Sequence, residues 1–282
     1  YSTLSANSMK GAMVHQGYYS AAVHYKIDTI FKHKQQRITV KYMVDAGNPT
    51  LIDTLRYQIQ HTELQQLAVE NSKKSFIIKG NPVSRVEILS EINRLVELYR
   101  NNGYYQFTLN DLKLRGDTTI AALTNILDDP FENLQLLAEA NQKKDQPTVK
   151  LAFILNPGAD SARLKKYYID SVIIYPDFTA ADVTNPAKYK EEMQGGFLIR
   201  YHKKLFNNSL LLRNMYLNSG DVYSQENYSK TISNFSKSGV WQNTNIQIEP
   251  TKDSAGKINL IVQLLPAKRF GFEANVEASY SA

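Results

Sequence analysis

Residues 84–105 read SRVEILSEINRLVELYRNNGYY and hold a helix start, an amphipathic helix and a helix stop in that order. Ser84 and Glu87 have the spacing of a capping box, in which the two side chains satisfy otherwise unpaired backbone N–H groups. Ile88, Ile92, Leu95 and Tyr99 recur with helical period, so one face is apolar and must be buried. Asn101-Asn102-Gly103 ends the helix, since glycine takes the left-handed position that costs other residues ~1–2 kcal/mol. A bulky residue then follows at once.

Working outward, the same junction occurs three times: MVHQGYYSAAV at 13–23, YRNNGYYQFTL at 99–109 and FSKSGVWQNTNI at 235–246. Each leads, at varying distance, to a strand of four alternating apolar residues closed by a Gly or Pro turn. These are Ile38 to Val44, Val149 to Leu155, and Ile258 to Leu264. A recurring helix, turn and strand pair implies a string of small similar α+β domains, an organisation typical of scaffolds.

The first of these, residues 1–47, holds only the last part of a domain. Its helix carries Leu4, Met9 and Met13, Gly17 stops it, and two strands flank a polar connection at His33–Arg37. The second, residues 48–160, opens with an entry strand at Leu55, Tyr57 and Ile59. It continues through a short helix at Leu64–Asn71, the long helix, and a bulged strand over Phe107–Leu114. An insertion near 118–147 carries a further helix from Asp129-Pro130. Asp128 and Asp129 are read as its start, favoured by exposed amides, and not as a metal site.

The third domain, 161–266, has an entry strand at Tyr168–Tyr175, a loop-like insertion over Pro176–Gly196 and a short helix at Leu210–Leu217. Ser224 is the expected N-cap of the helix bearing Tyr228, Ile232 and Phe235. Each unit is therefore expected to run β-α-α-β-β, a three-stranded sheet covered on one face by two helices. After Pro266, the residues Phe270 to Tyr280 alternate apolar and polar, the pattern of a barrel strand or of a plain edge strand. Residues 267–282 are assigned to that strand.

Composition removes several classes of function. The chain has no cysteine, which excludes thiolate chemistry and cysteine metal sites. The 5 histidines form no HExxH or HxH pattern, and no GxSxG, GxxxxGK[ST] or GxGxxG is present. No catalytic, metal or cofactor residue is expected. The net charge of +6 is spread over lysines in runs no longer than two, which speaks against a nucleic-acid groove. Gly195-Gly196 is read as a turn in preference to an anion cradle. No stretch approaches 18 consecutive apolar residues. Because Tyr1 is not an initiator methionine, the chain is expected to be a piece of a longer protein.

What remains is binding through the backbone. A three-stranded sheet has open edges whose N–H and C=O groups can pair with an extended chain. The edge residues expected to do this are Tyr57, Gln58, Tyr168, Ile173, Asn245 and Gln247. Gly17, Gly103 and Gly239 are expected to be structural turns. Repeated α+β units with many exposed tyrosines also suit an adhesin or glycan-binding module, which is the alternative reading.

The order of these pieces resembles the POTRA-domain region of outer-membrane assembly proteins of the BamA/TamA type, above all the TamA-like lipoprotein branch (TamL) of Bacteroidetes. The resemblance is carried by Leu211-Leu212-Arg213, Gly220 to Ser224, the helix to Phe235, Ser238 to Trp241, Ile246 to Ile248 and Leu260 to Pro266. The stretches LVELYRNNGYY at 95–105 and IDSVIIYPD at 169–177 add to it. The family more often has leucine at Phe235 and phenylalanine at Trp241, and the insertion after Asp128 departs from its pattern. The resemblance implies a periplasmic location in a Gram-negative cell, a lipidated N-terminus upstream of Tyr1 and a C-terminal barrel, with Pro266 and Phe270 at the junction. It also implies unfolded outer-membrane protein precursors as substrates and an inner-membrane-anchored TamB-like partner.

Overall fold

The computed structural model describes residues 1–32, 35–116, 146–179, 182, 189–251 and 256–267. The helix expected from Asp129, the residue Phe270 and the alternating segment around it lie outside this set. The chain forms two compact units, residues 1–99 with 107–164, and residues 100–106 with those from 165 on.

In the first unit, α1 (Ser2–His15) precedes an antiparallel ribbon of β1 (Ala22–Lys32) and β2 (Gln35–Asp45). Pairing runs from Ala22↔Asp45 to Lys32↔Gln35, so Gln35, Gln36 and Arg37, expected in the connection, belong to β2. The flanking polar residues are simply recruited into the ladder. Ile27, Ile30, Phe31 and Ile38 remain exposed on this two-stranded ribbon.

The complete module of this unit comprises β3 (Leu51–Gln58), α2 (Thr62–Glu70), α3 (Arg85–Asn101), β4 (Leu112–Arg115) and β5 (Thr148–Leu155). The element order is β-α-α-β-β. The sheet order is β3-β5-β4, with β3 parallel and β4 antiparallel to the central β5. The helical stripe read from the sequence faces the core: Ile88, Leu95 and Tyr99 are buried with Leu64, Ile52, Leu151 and Phe153. Tyr99 meets Phe107 edge-on at 4.8 Å. Ser84 Oγ accepts the Glu87 N–H at 3.5 Å, one half of the expected capping box.

The strand expected from Phe107 starts only at Leu112. Asp111 Oδ2 accepts both the N–H and the hydroxyl of Thr108, at 2.7 and 2.8 Å, and winds 109–111 into a 3-10 turn. A local side-chain bond here outcompetes strand extension.

The second unit contains β6 (Tyr168–Tyr175), β7 (Lys190–Gln194), β8 (Phe197–Tyr201), α4 (Asn208–Asn214), α5 (Gln225–Lys237), β9 (Trp241–Pro250) and β10 (Lys257–Pro266). Its core repeats the β-α-α-β-β order, with β6 parallel and β9 antiparallel to the central β10. Here the expectation of three strands needs correction, because the sheet has five in the order β7-β8-β6-β10-β9. Gly195 and Gly196, at φ 59° and 83°, make the two-residue hairpin turn that joins β7 to β8. That turn folds the end of the supposed loop back on itself, so Lys190–Tyr201 becomes a hairpin paired to the sheet.

Ser224 caps α5 as expected, accepting the Asn227 N–H at 3.3 Å. Phe235, Trp241, Val172, Ile174, Phe197, Ile199, Leu260 and Val262 belong to one buried cluster. Trp241 packs between Phe235 and Phe206, each with ring centroids at 5.1 Å, and donates its Nε1–H to the Pro176 carbonyl at 2.9 Å.

Candidate binding edges

The outer edge of the entry strand is built alike in both modules. Ile52 donates its N–H to Asn81 O and accepts from the Gly80 N–H; Ile169 donates to Asp221 O and accepts from the Gly220 N–H. The turn before the longer helix thus closes the first half of the edge. One residue later each strand is bulged, at Asp53 between Ile52 and Thr54 and at Asp170 between Ile169 and Ser171. The two bulges share the pattern Ile-Asp-Thr/Ser, a repeat that the reading by hydrophobic alternation passes over. Lys257 Nζ reaches Asp170 at 2.7 Å, and Lys79 Nζ reaches Asp53 at 3.8 Å.

Past the bulge the modules differ. In the second, β8 pairs in parallel with β6 at Ile173↔Leu198 and Ile174↔Ile199. Tyr168 and Ile173 are therefore not on an open edge, as the sequence reading expected. The strand is interior, bridged by Val222 at Tyr168 and by β8 at Ile173. In the first, β3 stays at the edge of its sheet among the described residues, and Tyr57 and Gln58 lie on it. Asn245 and Gln247 also fall on an edge strand, β9, with exposed side chains. Asn245 Nδ2 donates to Gln263 Oε1 at 3.0 Å. Gln58 Oε1 accepts from Arg115 Nη2.

Tyr57 itself turns inward. Its hydroxyl donates to Glu91 Oε1 at 2.7 Å, and the Phe76 N–H donates to Glu91 Oε2 at 3.1 Å. Arg94 adds two bonds to the same carboxylate, Nη2 to Oε1 at 2.6 Å and Nε to Oε2 at 2.9 Å. Glu91 is wholly buried. Burial pushes its carboxyl up, but the bonds from Arg94, Tyr57 and Phe76 outweigh this and hold it below the usual range. Burial, together with the Glu91 carboxylate, pushes the Tyr57 hydroxyl up to about 12. The second module has Thr231 at the matching place, accepting the Tyr216 N–H at 3.1 Å. Helical periodicity assigns Glu91 no role, since a charged residue gives no apolar signal.

The inserted hairpin is anchored by another polar group missed in the sequence. Asp177, buried, accepts the N–H groups of His202 and Lys203, each at 2.9 Å to Oδ2. The His202 ring lies 3.5 Å from Asp177 and 3.2 Å from Asp182. Burial opposes ionisation of Asp182, yet bonds from Thr179 and Tyr189 keep its carboxyl below the ordinary range. Among the described residues no group of His, Asp and Glu is arranged to hold a metal ion.

Gly17, Gly103 and Gly239 all take positive φ. Gly103 is also crowded: a Cβ would lie 2.9 Å from Val222 Cγ1 and 3.2 Å from the Tyr167 carbonyl. Pro266 is the last residue of β10, opposite Trp241. No described helix is long and apolar enough to cross a membrane, which does not bear on strands.

These features define a class: tandem α+β modules of β-α-α-β-β order. No protein-family model matches the chain, and no curated protein sequence matches it. Solved structures do. BamA POTRA3–5 from Haemophilus influenzae is similar over 92% of this chain and 78% of its own, at 12% identity and a TM-score of 0.41. BamA from Haemophilus ducreyi lacking POTRA domains 1–3 is similar over 77% of this chain, at 14% identity and a TM-score of 0.45; the match spans 29% of that longer protein. POTRA1–3 of the periplasmic domain of Omp85 from Anabaena is similar over 93% of this chain and 81% of its own, at 13% identity and a TM-score of 0.31. The module assignment rests on the strand and helix order described above.

Proposed function

We propose that the chain is a periplasmic scaffold of an Omp85-type outer-membrane protein, and that it takes up extended segments of unfolded outer-membrane proteins or partner subunits by β-augmentation. The observation that carries this reading is the repeated β-α-α-β-β module with strands β3, β4 and β9 at sheet edges. Backbone pairing demands little of a client's sequence, which suits one scaffold serving many precursors. The finer reading, a TamA-like lipoprotein of Bacteroidetes working beside a TamB-like inner-membrane partner and carrying a barrel after Pro266, is supported by the sequence resemblance.

The test is site-specific photo-crosslinking in cells. Crosslinkers at Gln58, Lys113 and Gln247, one on each of these three edge strands, should capture nascent outer-membrane proteins. Crosslinkers at Glu97 on α3 and Ser229 on α5 should not. Capture at none of the edge positions would remove the proposal.

A further inference from the structure

The two modules share one architecture but treat one edge differently. In the second, β8 lies along β6 and buries Phe197 and Ile199 in the core. In the first, no described strand lies along β3 on that side. Aligning the bulges places Leu55 and Tyr57 at the positions of Val172 and Ile174.

Backbone direction follows from the register. Both backbone groups of Ile52 face outward, to the turn at 80–81. The bulge at Asp53 shifts the alternation by one, so Leu55, Tyr57 and Ile59 face outward beyond it. Gln65 of α2 already answers the end of this row: its Nε2 donates to the Tyr57 carbonyl at 2.7 Å and its Oε1 accepts the Ile59 N–H at 2.9 Å. A side-chain amide thus makes the pair of bonds that the N–H and C=O of one residue of a parallel neighbouring strand would make. Beside it lies an open groove of about 590 Å³ lined by Ile59, His61, Gln65, Gln66 and the half-exposed Val69.

We infer that the β3 edge at Leu55–Tyr57 seats an extended peptide running parallel to β3, with two alternate apolar side chains placed as Phe197 and Ile199 are on β8. This rests on the augmentation reading and specifies the module, the edge, the direction and the apolar pattern of the client. The chain itself supplies the template, since β8 shows which strand this architecture accepts at that position. The second module, with its edge already filled, should not compete.

The probe is a synthetic peptide of residues 196–202, GFLIRYH, added to the full isotope-labelled chain and followed by NMR. The chain has no cysteine, so a spin label can be confined to either end of the peptide. A label at the peptide's N-terminus should broaden the amides of Asp53 and Thr54, and one at its C-terminus those of Ile59 to His61. N-methylation of the peptide's leucine nitrogen, which removes a pairing donor, should weaken binding about tenfold. Gln65→Ala, which frees the Tyr57 carbonyl, should tighten it severalfold. The reverse broadening pattern, or broadening only along β4 or β9, would overturn this seat while leaving augmentation intact. No broadening at any edge at millimolar peptide would overturn both.

Discussion

Glu91 holds together the polar part of the first module: three groups converge on its buried carboxylate, and each would lose that partner without it. Removing one partner of such a pair costs about 3 kcal/mol or more. Because its folded pKa is depressed, the stabilisation is present above the ordinary glutamate value of 4.5 and is lost as pH falls through the folded value. Tyr57 acts with the opposite sign. Its folded pKa of about 12 exceeds the ordinary 10, so its contribution is intact below 10 and is lost as pH rises towards 12. Glu91→Gln should therefore lower stability at pH 7 by about 3 kcal/mol and flatten the acid limb of a denaturation series. Glu91→Thr, imitating Thr231, leaves the Arg94 guanidinium without its carboxylate; adding Arg94→Asn, the residue at the matching Asn234, should recover part of the loss in a double-mutant cycle. Gly103→Ala makes a second case. Positive φ alone costs about 1–2 kcal/mol, and crowding against Val222 adds to it, so the midpoint of thermal unfolding should fall by several degrees. Glycine at a helix stop is legible from sequence alone. Glu91 is not, because Tyr57 and Phe76 reach it only after sheet and helix have packed, and its i,i+3 spacing to Arg94 looks like an ordinary surface pair.

Among the elements, the helices and central strands were legible because periodicity records burial directly: the stripe of α3 and the alternation of β5 and β10 each face the core. The β7–β8 hairpin was not. Strand β7 is almost wholly exposed, so Lys190–Gln194 shows no alternation, and its pairing is set by the Gly195-Gly196 turn. That element decides whether the second half of the β6 edge is free, which is why Ile173 was misplaced; Tyr168 is covered by its bridge to Val222. Trp241 ties the same insertion to the core through Pro176. Trp241→Phe keeps an aromatic ring but leaves the Pro176 carbonyl without its donor and opens space beside Phe206. It should cost about 1–3 kcal/mol in chemical denaturation. An unchanged midpoint would mean that the Pro176 bond contributes nothing net.

For the molecule as a whole, the two compact units set the expected unfolding behaviour. The buried cluster of the second unit draws every member from residues 167–264, and Tyr105, from the segment 100–106 of the same unit, packs against it. Two cores of this kind should give two transitions, not one. Leu260 and Leu151 occupy the central strands of the respective modules, both almost fully buried. Leu260→Ala and Leu151→Ala should each cost about 2–5 kcal/mol. Each should move a different transition, followed for the second unit by Trp241, the chain's single tryptophan. Tryptophan fluorescence should then shift with Leu260→Ala and stay in place with Leu151→Ala, while circular dichroism registers both. If fluorescence moves equally with either substitution, the modules unfold together. A client seated on one module would then stabilise the other as well, by the same linkage that couples any ligand to the state it binds. Independent transitions would instead confine a client's stabilising effect to the module that holds it, so the same pair of variants also tells where a bound peptide's effect should be sought.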